Sequence, residues 1–141
     1  MNSDFTLAIH SLTLLALQPG RMTTSDAIAD SAGVHPVRIR KVLALLKKHG
    51  FIKSKEGTGG GFIFALGLNE VNLWDIYKLT SEGAIQPKCP DSNEKCVVGA
   101  HMQKVLFAIF QGAEEHLGEF LKHYSIKQLV DLIKQEKENC E

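Results

Sequence analysis

The chain has 141 residues, about one domain's worth, and its 16 basic and 16 acidic side chains leave no formal net charge. That balance excludes steering of a partner by net charge, and 44% hydrophobic against 23% charged residues excludes a disordered chain. No apolar run, Leu12 to Leu17 broken by Thr13 included, approaches the roughly 18 residues of a membrane span. The Met1-Asn2-Ser3-Asp4 start has no signal-peptide character, and three cysteines point to a reducing cytoplasm rather than a disulfide framework.

Phe5, Ala8, Ile9, Leu12, Leu15 and Ala16 recur at helical spacing and predict a first helix over residues 4–18, stopped by Pro19-Gly20. Thr23 or Thr24 offers an N-cap for a short second helix over 25–32, with Asp26 near its positive end and Gly33 just past its last turn. Pro36 suits the first turn of a third helix over 37–49, ended by Gly50. Ile28, Ala29, Ala32, Gly33, Val34, Ile39 and Val42 fill the positions a helix-turn-helix needs. A small residue lets the helices approach, glycine makes the turn and aliphatic side chains pack the angle.

Two β-prone runs, 51–55 and 62–66, flank Glu56-Gly57-Thr58-Gly59-Gly60-Gly61 and read as a hairpin. Placed after a recognition helix, that hairpin is a wing. The rival reading, a phosphate-binding loop, needs a Lys-Ser/Thr pair and a helix after the glycines, and β-prone residues follow them instead. Farther on, a short helix over 71–80 carries Trp74, read as core packing. A polar loop over 81–95 follows, then a long amphipathic stretch over 98–124. Its stripe of Met102, Leu106, Ile109, Phe110, Ala113, Leu117, Phe120, Leu121 and Tyr124 is too wide for one small core and predicts a dimer interface. A last helix over 126–137 precedes a polar tail expected to fray, leaving Cys140 exposed and incidental.

The expected fold is therefore mainly α: a winged helix-turn-helix with a small β-hairpin wing and a long C-terminal dimerisation helix. Its expected divisions are 1–67 for DNA binding, 68–96 for a linker helix and cysteine loop, and 97–141 for dimerisation. The zero net charge is uneven along this order. Residues 1–67 hold eight basic and four acidic side chains, while residues 68–141 hold eight and twelve. Between His35 and Lys55 there are seven basic residues and no acid, the electrostatic footprint of a polyanion site.

The expected partner is double-stranded promoter DNA, read by a homodimer; no membrane partner or small-molecule substrate is indicated. His35, Pro36, Val37, Arg38, Arg40 and Lys41 open the recognition helix toward the major groove. Lys47 and Lys55, with Lys48 and Lys53, suit phosphates. Thr24 and Ser25 present a helix N-terminus to a phosphate, and Gly57, Thr58, Gly59 and Gly60 let the wing backbone approach the sugar-phosphate rail. An enzyme is the rival class. Glu114 and Glu115 diverge by about 100° on a helix, and Cys96 with His101 lacks an orienting third group. A winged-helix adaptor that binds protein and not DNA is the other alternative.

The run Ile28 to Val42, then Leu45 to Ser54, then Gly57 and Gly60-Gly61-Phe62, resembles the Rrf2 family of bacterial winged-helix regulators. The likeness extends over nearly the whole chain and is nearest to the small YwnA-type branch, through the Arg40-Lys41 pair and Lys95-Cys96-Val97-Val98-Gly99. It implies a dimeric transcriptional regulator, with repression as the expected action. Cluster-binding members, relatives of the iron–sulfur cluster regulator, carry three loop cysteines and a histidine. Here only Cys89 and Cys96 lie in the loop, the first cysteine is missing, the histidine position falls on Gly99, and His101 is offset by two. The operator cannot be carried over either, because Arg40-Lys41 and Glu56 replace the residues of cluster-regulator relatives.

Three readings of the loop cysteines stand side by side. They are incidental, or a thiol switch, or metal ligands. A [2Fe–2S] cluster needs about four ligands, and Cys89, Cys96 and His101 supply three. The incomplete pattern counts against a cluster, and no cofactor is assigned. Lys95 and the start of the long helix both favour a Cys96 thiolate.

Overall fold

The computed structural model describes residues 2–140. Six helices surround a small antiparallel sheet. In chain order they are α1 (Ser3–Leu17), β1 (Met22–Thr23), α2 (Ser25–Ala32), α3 (Pro36–Lys48), β2 (Ile52–Lys55), β3 (Gly61–Phe64), α4 (Leu73–Ser81), α5 (Val97–Leu121) and α6 (Ile126–Cys140). A single 3₁₀ turn, Pro19–Arg21, joins α1 to β1. This is the mainly helical winged architecture expected, with the second helix where its capping residues put it.

The caps explain the boundaries. Asn2, Thr24 and Asn72 each accept a backbone N–H bond at the start of α1, α2 and α4. At Asn72 the bond is reciprocal, since Asp75 accepts from the Asn72 N–H at 3.1 Å. Gly33 ends α2 at φ 68°, a left-handed conformation that glycine adopts without strain. Its N–H donates to Asp30 O at 3.2 Å and that of Val34 to Ala29 O at 3.1 Å, which closes a Schellman motif and turns the chain sharply into α3.

One core unites the reading head with its neighbours. Leu12 and Leu15 of α1 meet Ile28 of α2, Ile39, Leu43 and Leu46 of α3, Ile52 and Phe64 of the sheet, Ile76 of α4 and Ile126 of α6, all buried. Truncating one such leucine to alanine costs about 2–5 kcal/mol. The long α5 is different: its one buried residue is Gly118.

Three expectations change. The wing is a three-stranded sheet, in the order β1-β3-β2, because Met22 pairs with Ile63 and Thr23 with Phe62. A two-residue strand has too little period to signal itself. The long helix stops at Leu121, not at residue 124. Tyr124 O accepts from Leu73 N at 2.9 Å, and Ile126 N donates to Val71 O at 2.9 Å. These bonds to the segment before α4 pull the chain out of the helix. The C-terminal tail, expected to fray, instead continues α6 through Cys140, which is exposed.

Candidate nucleic-acid interface

The recognition helix α3 is fixed from its inner face outward. Ile39, Val42, Leu43 and Leu46 are buried. At about 100° per residue, the opposite face is centred on Val37, Lys41, Ala44 and Lys48, all exposed. Arg38 and Arg40 are also exposed but lie on opposite edges of that face, about 160° apart. Lys47 flanks on the Arg40 side. The block of basic residues thus resolves into a central lysine pair bracketed by two arginines. Ala44 and Lys48 are the residues that sequence reasoning left off the groove-facing set. The buried tetrad was the signal that could have placed them.

His35 has a structural role. Its Nδ1 accepts the Val37 N–H at 3.1 Å, capping α3, and the ring remains exposed. Pro36, half-buried, fills the first turn. Arg40 Nε reaches back to Pro36 O at 3.4 Å. At the start of α2, Thr24 Oγ1 accepts the Ala27 N–H at 3.1 Å. Thr24 is exposed and Ser25 half-buried, so the cap and the first amides of α2 form a small polar corner beside the reading head.

The wing tip is open. Lys53, Lys55, Glu56, Gly57, Thr58 and Gly59 are exposed, and Gly60 is half-buried. Gly57 and Gly59 sit at φ 91° and 75°, where a side chain would be strained. Gly60 donates to Gly57 O at 3.0 Å, and a Cβ on it would fall against Lys55 O. The turn's compactness therefore depends on glycine at three places.

The cysteine loop lies along α5. Cys89 is half-buried, in a cleft of about 160 Å³ with Gln86, Pro87, Gln103, Leu106 and Phe107. Cys96 is exposed and occupies the N-cap position of α5. The backbone N–H groups of Gly99, then Val98, hold its thiol below the ordinary range. The helix end is the cause, and Lys95 is not. The described residues do not bring together the donors that a [2Fe–2S] cluster needs. Among the described residues no three His, Cys, Asp or Glu side chains come together to hold a metal ion. A Cβ at Gly99 would land on the Asn93 carbonyl, so no histidine fits at that position. His101 directs Nδ1 at Val97 O, 2.8 Å away.

The expected dimer stripe divides in two. Met102, Ile109, Ala113 and Phe120 are exposed, whereas Leu106, Phe110, Leu117 and Leu121 are half-buried on the side of α5 nearer the body. Tyr124 belongs to the α5–α6 corner, its ring 5.5 Å from that of Phe120. One clasp joins α5 to the body. Glu114 Oε2 accepts from Tyr77 OH and from Gly83 N, both at 2.8 Å. One turn on, Trp74 packs directly on Gly118 and stacks on Tyr77, with ring centroids 5.3 Å apart.

The Rrf2 family, described as "Iron-dependent Transcriptional regulator", matches residues 1–132. The chain belongs to the Rrf2 family. YwgB of Bacillus subtilis, named an HTH-type transcriptional regulator, is 33% identical over 134 residues, covering 94% of this chain and 85% of the relative. YwnA of the same organism, similarly named, is 27% identical over 132 residues, covering 93% and 97%. The crystal structure of a transcriptional regulator from Lactobacillus plantarum is 27% identical, with a TM-score of 0.76 over the whole of both chains. This Rrf2 protein is thus a winged-helix transcriptional regulator, which acts on DNA and is not an enzyme. No helix among its described residues is long and apolar enough to cross a membrane.

Proposed function

We propose that this Rrf2 regulator binds promoter DNA as a homodimer and represses transcription, with α3 in the major groove and the wing on the adjacent backbone. The observation that carries the reading is the outward face of α3. Val37, Lys41, Ala44 and Lys48 form its centre, Arg38 and Arg40 its edges, and no carboxylate interrupts the sequence from His35 to Lys55. Val37 and Ala44 suit a thymine methyl and Arg38 or Arg40 a guanine edge. Lys47, Lys48, Lys53 and Lys55, with the amides at Thr24, Ser25 and the Gly57–Gly60 turn, suit phosphates.

The test is fluorescence anisotropy with the promoter duplex of its own gene and a scrambled duplex, across a salt series. The own-promoter duplex should bind more tightly, and both affinities should fall steeply with salt. Salt-independent or absent binding to both duplexes would leave the adaptor reading. In purified transcription, added protein should lower output from the bound promoter; a rise would reverse the sign.

Cys96 is the proposed sensing thiol, supported by its exposure and helix-end position. A peroxide would oxidise the thiolate to a sulfenic acid by two electrons, itself reduced to water or an alcohol. Condensation with the Cys89 thiol would then form a disulfide and release water. Operator affinity should change with mild peroxide in the wild type and not in Cys96→Ser; an equal response in both removes the switch.

A further inference from the structure

The turn of the wing begins with a carboxylate. Lys55 pairs with Gly61 at the last step of the β2–β3 ladder, so Glu56 is the first residue of the turn, and it is exposed. Its backbone is held from behind. Gly60 N donates to Gly57 O at 3.0 Å, and a Cβ on Gly60 would stand 3.2 Å from the Glu56 carbonyl carbon. The ion pairs among the described residues, Lys122–Glu119 and Lys127–Asp131, both lie in the C-terminal half. Lys53 and Lys55, which share one face of β2, therefore leave the Glu56 carboxylate free to meet a partner from outside.

The course of the wing limits what that partner is. On the DNA-binding reading, α3 occupies the major groove and Lys53 and Lys55 meet the adjacent backbone. Each backbone separates the major groove from the minor groove, so a hairpin that crosses it brings its tip to the minor groove. That groove is about 6 Å wide, and the tip is thin: three of the five residues from Glu56 to Gly60 are glycine. Only Glu56 and Thr58 carry side chains there.

A carboxylate accepts hydrogen bonds and donates none. Phosphates repel it. The minor-groove edge of an A·T pair shows only acceptors, adenine N3 and thymine O2, and the narrow groove of an A-tract adds negative potential. The guanine N2 amine is the one donor that a base pair presents in that groove. Thr58 makes no such distinction, because its hydroxyl both donates and accepts.

Resting on the DNA-binding reading, we infer that Glu56 is a specificity-determining residue, whose carboxylate accepts a hydrogen bond from a guanine N2 amine in the minor groove. It selects a G·C pair beneath the wing tip and selects against A-tracts there.

The test replaces the guanines of the own-promoter duplex by inosine, one at a time, with affinity read by fluorescence anisotropy. Inosine pairs with cytosine, keeps N7 and O6 on the major-groove edge and lacks only the N2 amine. Inosine under the wing should weaken wild-type binding at least about fivefold. Glu56→Ala should bind that duplex and the unmodified one equally. This comparison separates the hydrogen bond from a change in groove shape, which both proteins would feel. With the same pair changed to A·T, wild type should lose affinity and Glu56→Gln, whose amide also donates, should not. An equal loss in wild type and Glu56→Ala at every guanine, or no loss at any, overturns the role of Glu56 and leaves DNA binding standing. Absence of salt-dependent binding to the unmodified duplex overturns the DNA-binding reading itself, and the role of Glu56 with it.

Discussion

Removing one hydroxyl at the Tyr77–Glu114 clasp should loosen the connection between the reading head and α5 in a measurable, pH-dependent way. Tyr77 is fully buried, stacked on Trp74 and edge-on to Phe5 at 6.1 Å. Its hydroxyl has one acceptor, Glu114, at 2.8 Å. Tyr77→Phe keeps the ring and deletes that bond. A hydrogen bond to a charged group contributes about 1.5–3 kcal/mol. Glu114 retains the Gly83 N–H and partial access to water, so a loss of about 1–2 kcal/mol is expected. Burial, then the bond to Glu114 and its charge, pushes the Tyr77 pKa up to about 12, against about 10 for an unfolded tyrosine. Folding therefore favours the neutral phenol. Its stabilisation is complete below about pH 10 and drains away as pH rises toward 12, with a ceiling of about 2.7 kcal/mol. Urea unfolding followed by the fluorescence of Trp74, the single tryptophan, measures both effects, since Trp74 stacks on the altered ring. Wild type should exceed Tyr77→Phe in stability near about pH 8, and the gap should close by about pH 11. A constant gap across that range, or none at about pH 8, would refute the linkage of burial and bonding argued here.

Four further outcomes follow from the geometry. Lys41→Ala should weaken binding to every duplex and lower the salt slope by about one unit if the lysine meets a phosphate, as measured by anisotropy across a salt series. Gly118→Ala places a methyl within 2.6 Å of the Trp74 ring and should cost about 1–3 kcal/mol, with a shift in Trp74 emission. Gly33→Ala puts a Cβ on a left-handed residue and should cost about 1 kcal/mol, seen as a lower urea midpoint. Cys96, whose thiol is held low by the first turn of α5, should react with a neutral maleimide at a lower pH midpoint than the thiol of free glutathione, followed by mass spectrometry of the labelled peptide.

What the sequence made legible is what local chemistry specifies. Gly33 after an alanine and before a β-branched residue specifies the turn, and Thr24 and Pro36 mark two helix starts, because capping and φ restrictions act within four residues. The basic run was readable as charge. Which of its members face outward depends on the burial of Ile39, Val42, Leu43 and Leu46, and that is set by α1 and the sheet. Hence charge alone could not tell that Lys41 lies at the centre of the face and Arg38 and Arg40 at its edges. β1 was invisible because its pairing with β3 spans some forty residues. The end of α5 was invisible for the same reason: no glycine or proline occurs from Lys122 to Ser125, and the break comes from backbone bonds to the segment before α4.

The same division explains how a chain of zero net charge carries a polyanion site. Seven of the eight basic residues of the first half lie on α3 and β2, while the acids of the second half are spread from Glu70 through α4, the cysteine loop, α5 and α6. One of those acids, Glu114, does not merely balance charge. It accepts two hydrogen bonds from the body at the point where Gly118 admits Trp74, and this clasp ties α5 to α4 and to the loop that follows it. Gly83, which supplies one of the two bonds, also begins the loop that carries Cys89 and Cys96. A change in that loop therefore has a short covalent path to the clasp that holds α5 on α4. A dimer bound to two half-sites is sensitive to how α5 is held, since each α3 must enter its groove in register with the other.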